Sequence, residues 1–150
     1  MSEKHLYAPI AILDQRLLDL VPKGDTIIYT SRATIEKTGF GGDRKYGHLI
    51  LTENGVAFRA AKGGFGSSIA SLARGAIENY VPYELIYEFH NKRRTVRIKQ
   101  TLAENPEKKR GWKFTIERCK EAKESKDSWK ARQKLFGDFF EQLYRDAVGK

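Results

Sequence analysis

The chain has few of the residues that carry covalent or metal chemistry. Its 150 residues include one cysteine, Cys119, which excludes an internal disulfide framework and is typical of a reducing compartment. The three histidines, His5, His48 and His90, lie far apart and lack the spacing of a metal site. The sequence contains no carboxylate pair, nucleophile elbow or Walker motif. We therefore expect no metal, no cofactor and no enzymatic activity, and we interpret Cys119 as a buried structural thiol.

Long apolar runs are also missing. No run approaches the roughly 20 apolar residues that a membrane-spanning helix needs. The first residues, Met1–His5, lack the basic-then-apolar order of a secretory signal. A hydrophobic content of 40% and an aromatic content of 11% argue against disorder, and 150 residues are enough for one domain with its own core. We expect a cytoplasmic domain that is able to bind at the periphery of a membrane.

Positive charge is confined to one part of the chain. Residues 1–89 hold ten basic and ten acidic side chains, whereas residues 90–150 hold eighteen basic and nine acidic ones, which accounts for the whole net charge of +9. Apolar and basic residues alternate in Thr95–Lys99, so the cations are predicted to share one face of a sheet. Such a face attracts anions.

The first half of the chain predicts a short helix and then strands. Leucine and isoleucine recur at helical spacing over residues 9–21, and Pro22 ends that helix. β-Branched residues predict a strand over Thr26–Thr34, and the glycines of Thr38–Lys45 predict a loop. Asn54-Gly55 provides the tight turn of a hairpin, whose strands are Gly47–Thr52 and Val56–Ala61.

The second half begins with a glycine loop and continues with an antiparallel sheet. A short helix is predicted over Ile69–Tyr80, and Glu104–Arg110 is interpreted as a polar loop. Alternation of apolar and polar residues predicts three strands: Tyr83–Phe89, Thr95–Leu102 and Trp112–Cys119. From about Asp127 an aromatic stripe at helical spacing predicts an amphipathic helix of about five turns, which Ser125 or Asp127 caps.

Three short motifs resemble those of the pleckstrin-homology-like (PH-like) superfold, in particular its GRAM, bacterial PH and GLUE groups. Gly47–Thr52 and Val56-Ala57-Phe58 resemble the second and third strands of such domains, and Val81–Ile86 resembles the start of the fourth. The resemblance covers about residues 20–148. It implies an α+β fold, a strongly bent antiparallel sheet of six or seven strands (a partly open barrel) capped by a long C-terminal helix. We expect residues 1–22 to form an N-terminal helical extension and residues 23–150 to form the PH-like domain.

The resemblance also implies an anion site at the mouth of the first hairpin. Lys37, Arg44 and Lys45 occupy the places where PH-like lipid binders hold phosphates, although Tyr46 and Gly47 leave the usual basic pattern incomplete. Two aromatic residues, Phe40 and Phe65, stand inside glycine-rich loops near the cations Lys37, Arg44 and Lys62. Each ring is predicted either to insert among lipid headgroups or to fold back over the end of the barrel.

The basic strands provide the second half of the predicted lipid-binding and anion-binding site. The main candidates are Arg93, Arg94, Arg97, Lys99 and Lys113, and the wider basic face adds Lys92, Lys108, Lys109 and Arg110. If about six cations engage an anionic membrane at about 1 kcal/mol each, the total of about 6 kcal/mol falls short of micromolar binding. The alternative is that these residues only keep the protein soluble. Trp112 and Phe114 lie on the apolar side of their strand and are predicted to be core residues.

These patterns favour a binding module over an enzyme. The leading hypothesis is weak, salt-sensitive docking on acidic phospholipid or phosphoinositide membranes. A GLUE-type resemblance implies the alternative of an adaptor in membrane trafficking that binds ubiquitin or another protein. Binding of single-stranded nucleic acid is a weaker third hypothesis that rests on charge alone.

Overall fold

The structure is a computed structural model, and it describes residues 15–38, 44–61, 77–92, 95–118 and 123–149. The elements are a short helix α1, seven strands, one turn of 3₁₀-helix (Tyr83–Leu85) and a long helix α2. The helices are α1 (Gln15–Leu20) and α2 (Lys126–Val148). The strands are β1 (Ile27–Lys37), β2 (Arg44–Thr52), β3 (Gly55–Ala61), β4 (Ile77–Pro82), β5 (Ile86–Lys92), β6 (Thr95–Leu102) and β7 (Asn105–Ile116).

The seven strands form one antiparallel sheet in the order β4-β3-β2-β1-β7-β6-β5. This sheet folds onto itself, because side chains from strands far apart in that order meet in the core. The ring of Phe58 in β3 lies 4.9 Å from that of Trp112 and 5.1 Å from that of Phe114, both in β7. The sheet therefore has an inner face that lines the core and an outer face that points away from it. The predicted bent antiparallel sheet with two helices is confirmed.

Helix α2 packs against the core with the aromatic stripe that the sequence predicts. Phe136, Phe140 and Tyr144 are buried, and the Phe89 ring of β5 stacks on Tyr144 at 5.1 Å. Ser125 caps the helix, because its side chain accepts a hydrogen bond from the Ser128 backbone N–H. With 23 residues the helix is longer than the predicted five turns.

Helix α1 packs on the outer face of the other half of the sheet. Leu17 is fully buried against Ile50 of β2 and Ala57 of β3. Asp25 stabilises the connection between α1 and β1, since its carboxylate accepts hydrogen bonds from Thr52 Oγ1 at 2.6 Å and Tyr80 Oη at 3.0 Å. Residues 9–14 of the predicted helix lie outside the described residues, and the proposed division of the chain at residue 22 stays a prediction.

Several predicted boundaries were wrong, and each error has a physical reason. Ile77–Pro82 is a strand, not the end of a helix, because it pairs with β3. Asn105–Arg110 belongs to β7, not to a loop, because its backbone continues the pairing with β6. Arg44 and Lys45 likewise begin β2.

Strand β5 departs from strict alternation. The sequence places Leu85, Tyr87 and Phe89 on one side, but Tyr87 is 46% exposed while Ile86 is buried. A register shift between Ile86 and Glu88 changes the side to which the following residues point, so that Ile86 and Phe89 both contact the core.

Candidate anion-binding surface

The cations of β6 and β7 lie on the outer face of the sheet. In β6, Val96 and Ile98 are buried whereas Arg97 and Lys99 are exposed. In β7, Trp112 and Phe114 are buried and Lys113 between them is half-buried on the opposite side. The cause is the two-residue period of a strand, which points successive side chains to opposite faces.

Strand register assembles the cations into a row across the outer face. Directly paired positions place Arg44, Glu36, Lys113, Arg97 and His90 side by side on five consecutive strands, β2, β1, β7, β6 and β5. We call this set, which includes the acidic Glu36, the cationic row. Its members come from five different strands, so that only folding brings them together.

Acidic side chains neutralise part of this surface. Glu36 contacts Arg44 at 3.2 Å and Lys113 at 3.4 Å, and Glu88 contacts both Lys99 and His90 at 3.2 Å. Burial of the Glu36 carboxyl would raise its pKa, but hydrogen bonds and charges from Arg44 and Lys113 outweigh burial and lower it. Hydrogen bonds from Lys99 and His90 lower the pKa of Glu88. Within the described residues, Arg97 makes no ion pair, so no described acid competes with a ligand for it.

The three cations predicted at the first hairpin do not form one group. Arg44 belongs to the cationic row on the outer face. Lys45 is paired with the buried Ile35, and Lys37 is paired with the buried Trp112, so both lie on the inner-face side of their strands. Lys37 is exposed, because it stands at the last position of β1. The remaining candidates, Phe40, Lys62, Phe65, Arg93 and Arg94, lie outside the described residues, as does Cys119.

A depression of about 410 Å³ opens beside the cationic row, between the outer face of β5 and β6 and the end of β1. We call it the first depression. Its lining consists of Thr38, Glu88, His90, Lys92, Arg97, Ile98 and Lys99. Thr38 is held there because its backbone N–H donates to the Gly111 carbonyl at 2.9 Å, and a side chain at position 111 would collide with Thr38 Oγ1. Three cations face one carboxylate, so the depression favours an anionic group.

The described residues offer no metal site. Among them no three His, Cys, Asp or Glu side chains lie close enough together to hold a metal ion. In the same part of the chain, no helix is both long enough and apolar enough to cross a membrane.

Comparison with solved structures identifies the fold. The chain is similar to a chain in the crystal structure of the complex of the PDZ-RhoGEF DH/PH domains with GTPγS-activated RhoA, with a TM-score of 0.55 and 10% sequence identity. The protein has a PH-like fold. The match covers 97% of this PH-like chain but only 36% of the other chain, so the chain spans about a third of that chain's length. No family model and no curated protein matches the sequence.

Sequence reasoning found the basic residues of this surface but missed the acids that pair with them. Glu36 and Glu88 were absent from the predicted site. Alternation in β1 nevertheless indicates that Glu36 points away from the side of its buried neighbour Ile35, and hence to the outer face. That alternation was the available signal. The partners of Glu36 depend on strand register, which the sequence does not show.

Proposed function

We propose that this PH-like protein is a non-enzymatic module that docks on anionic membrane surfaces through the outer face of β5–β7. The observation that carries the proposal is the first depression, whose lining includes three cations, Lys92, Arg97 and Lys99, and a single carboxylate. Lipid phosphates are negatively charged acceptors, so this arrangement suits them. The cytoplasmic leaflet is the anionic surface that a cytoplasmic protein meets, and the protein would be bound there peripherally.

The strength of this docking follows from the number of cations. Each basic side chain near an anionic membrane contributes about 1 kcal/mol, so the three cations of the depression contribute about 3 kcal/mol. Micromolar binding requires about 8 kcal/mol. The proposed docking is therefore weak and sensitive to salt. Insertion of Phe40 or Phe65, one of the two placements that the sequence leaves open, would add apolar contacts.

Charge reversal at one position tests the proposal. Arg97→Glu removes the unpaired cation and leaves no carboxylate without its partner, since Arg97 pairs with none of the described acids. Lys23→Glu changes the net charge equally at an exposed position in the turn before β1 and serves as the matched control. Reversal of one charge at the surface should cost about 2 kcal/mol, or about a 30-fold loss of affinity.

The measurement is flotation with vesicles of phosphatidylcholine alone and with added phosphatidylserine. We expect binding only to the anionic vesicles, loss of that binding in Arg97→Glu, and retention in Lys23→Glu. Equal flotation with neutral vesicles, or equal losses in the two variants, would contradict the proposal.

Protein binding is the second candidate function. It is favoured by Tyr87, a 46% exposed residue on the edge strand β5, with Lys109 Nζ 5.4 Å from the centroid of its ring. An aromatic residue beside a cation is typical of protein interfaces. Ubiquitin is the partner that the GLUE-type resemblance suggests. Chemical-shift changes confined to β5 on adding ubiquitin, together with absent flotation, would favour this function.

Nucleic-acid binding has less support. Trp112 is 5% exposed and Phe114 is fully buried, so neither ring is available to stack on a base. Only the charge of the outer face favours this third function.

A further inference from the structure

A second depression lies at the other end of the cationic row, where α2 begins. It measures about 320 Å³ and lies between the outer face of β6 and β7 and the first two turns of α2. Its lining consists of Arg44, Thr95, Lys113, Thr115, Lys126, Trp129, Lys130 and Gln133.

The lining of the second depression is positively charged without an acidic member. Arg44, Lys113, Lys126 and Lys130 all contribute. Glu36 contacts Arg44 and Lys113 from β1, but it does not line the depression. Lys126 and Lys130 are four residues apart on α2 and make no ion pair with any described residue. Because like charges at this spacing repel each other, an anion between them is stabilising.

A buried amide gives a second and independent indication of a ligand. Gln133 is 3% exposed, and its Oε1 accepts a hydrogen bond from the Ile116 backbone N–H at 2.6 Å. That bond fixes the orientation of the amide. Its Nε2 is buried and has no hydrogen-bond partner in the described part of the chain, and an unsatisfied buried donor is costly.

Trp129 is the neighbouring lining residue that anchors this part of the second depression. Its indole Nε1 donates to the Ile116 carbonyl at 2.7 Å, so Ile116 binds both Trp129 and Gln133 through its backbone. The two side chains thereby anchor the start of α2 to the end of β7. The second depression consequently has an anchored base, and Lys126 and Lys130 are exposed cations beside it.

We infer that the second depression binds a phosphomonoester group. Such a group carries a charge of about −1.5 to −2 at neutral pH and three acceptor oxygens. Lys126 and Lys130, which pair with no described acid, match its charge, and the Gln133 amide supplies a neutral donor. A volume of about 320 Å³ admits a small phosphorylated molecule as well as a lipid headgroup. The site does not depend on the first depression, because Lys126, Lys130 and Gln133 take no part in the docking proposed above.

Titration with a soluble and a lipid-bound phosphomonoester tests this inference. The probes are glycerol 3-phosphate and vesicles containing phosphatidic acid, whose phosphate is a monoester. The readouts are the NMR signals of the Trp129 indole N–H and the Gln133 side-chain amide. We expect both signals to shift on adding at least one probe, and the probe that shifts them identifies the soluble or the lipid source.

Two variants separate this site from general charge effects. Lys126→Gln/Lys130→Gln should weaken binding about tenfold, as expected for the loss of two exposed ion pairs. Lys23→Gln/Lys134→Gln removes the same charge at exposed positions outside the lining and should bind like the natural chain. Gln133→Glu keeps an acceptor for the Ile116 N–H but replaces the donor with a negative charge, and it should abolish the shift of the Trp129 signal, which is the readout that remains in this variant.

The outcomes also distinguish this inference from the proposed function. Lys126→Gln/Lys130→Gln should still float with phosphatidylserine vesicles, whereas Arg97→Glu should still bind the phosphomonoester. The inference is overturned if saturating amounts of both probes leave the two signals unchanged, or if Gln133→Glu responds as strongly as the natural chain.

Discussion

A buried hydrogen-bond network between opposite parts of the sheet gives the sharpest stability prediction. Gln100 in β6 is 2% exposed, and its Oε1 accepts hydrogen bonds from Trp112 Nε1 at 2.7 Å and from Asn79 Nδ2 at 3.2 Å. Asn79 belongs to β4, which is not a neighbour of β6 in the strand order. Gln100 therefore links the two halves of the folded sheet.

Replacement of Gln100 by leucine should destabilise the protein even though the core becomes more apolar. The indole N–H of Trp112 is left buried without an acceptor, which costs about 1–3 kcal/mol. Removal of the Gln100 amide also ends its donation to the Thr101 carbonyl at 3.2 Å, a more exposed bond of smaller effect. The added apolar contact offsets part of the loss, so we expect a net destabilisation of about 2 kcal/mol. For a chain of 150 residues this lowers Tm by about 4–8 °C.

A double-mutant cycle isolates the buried bond. Trp112→Phe removes the indole N–H, so Gln100→Leu should cost less in that background, with a coupling of about 1 kcal/mol or more. The assay is urea unfolding followed by far-ultraviolet circular dichroism, which does not depend on the removed tryptophan. Strictly additive effects, or a Gln100→Leu protein as stable as the natural chain, would refute the reasoning.

Two further predictions concern the docking of α1 and the behaviour at alkaline pH. Leu17→Ala should destabilise the protein by about 2–4 kcal/mol, because Leu17 is fully buried against Ile50 and Ala57. Amide hydrogen exchange measures whether the loss is local: in the variant, exchange should be faster in Gln15–Leu20 than in α2. Burial, together with the hydrogen bond to Asp25, raises the pKa of Tyr80 from 10.0 to about 12. The folded state thus resists ionisation of Tyr80, so stability is complete below pH 10 and falls as pH rises towards 12. Tyr80→Phe should show a smaller fall in denaturant midpoint between these pH values than the natural chain, and an unchanged fall would contradict this assignment.

The elements that could be predicted from the sequence are those set by local chemistry. The aromatic stripe of α2 matches its buried side, and the β2–β3 hairpin lies where the sequence places it. Its turn residues are Glu53 and Asn54, however, because Gly55 already begins β3, and neither Asn54 nor Gly55 has the positive φ of an Asn-Gly turn. Prediction failed where pairing outweighs local preference. The polar stretch from Asn105 to Arg110 is a strand because β6 lies beside it, and the side of Tyr87 depends on a register shift that no single residue indicates.

In the candidate site, too, features set within one strand could be predicted, whereas features set by pairing between strands could not. The outward direction of Arg97, Lys99 and Lys113 follows from alternation within each strand. The contact of Glu36 with Lys113 joins residues 77 positions apart, as their numbers show, and depends on the pairing of β1 with β7. The second depression was not predicted at all, because it needs α2 to be anchored on Ile116.

The placement of α1 has a practical consequence for measuring orientation. The helix covers the outer surface of β2 and β3, whereas the cations lie on the outer surface of β5–β7, across the core. Asp19 is an exposed position on α1. A fluorophore attached there would stay far from a bilayer that contacts the basic strands, and one attached near Lys99 would approach it. Comparison of fluorescence quenching by labelled lipids at these two positions would show which side of the molecule faces the bilayer.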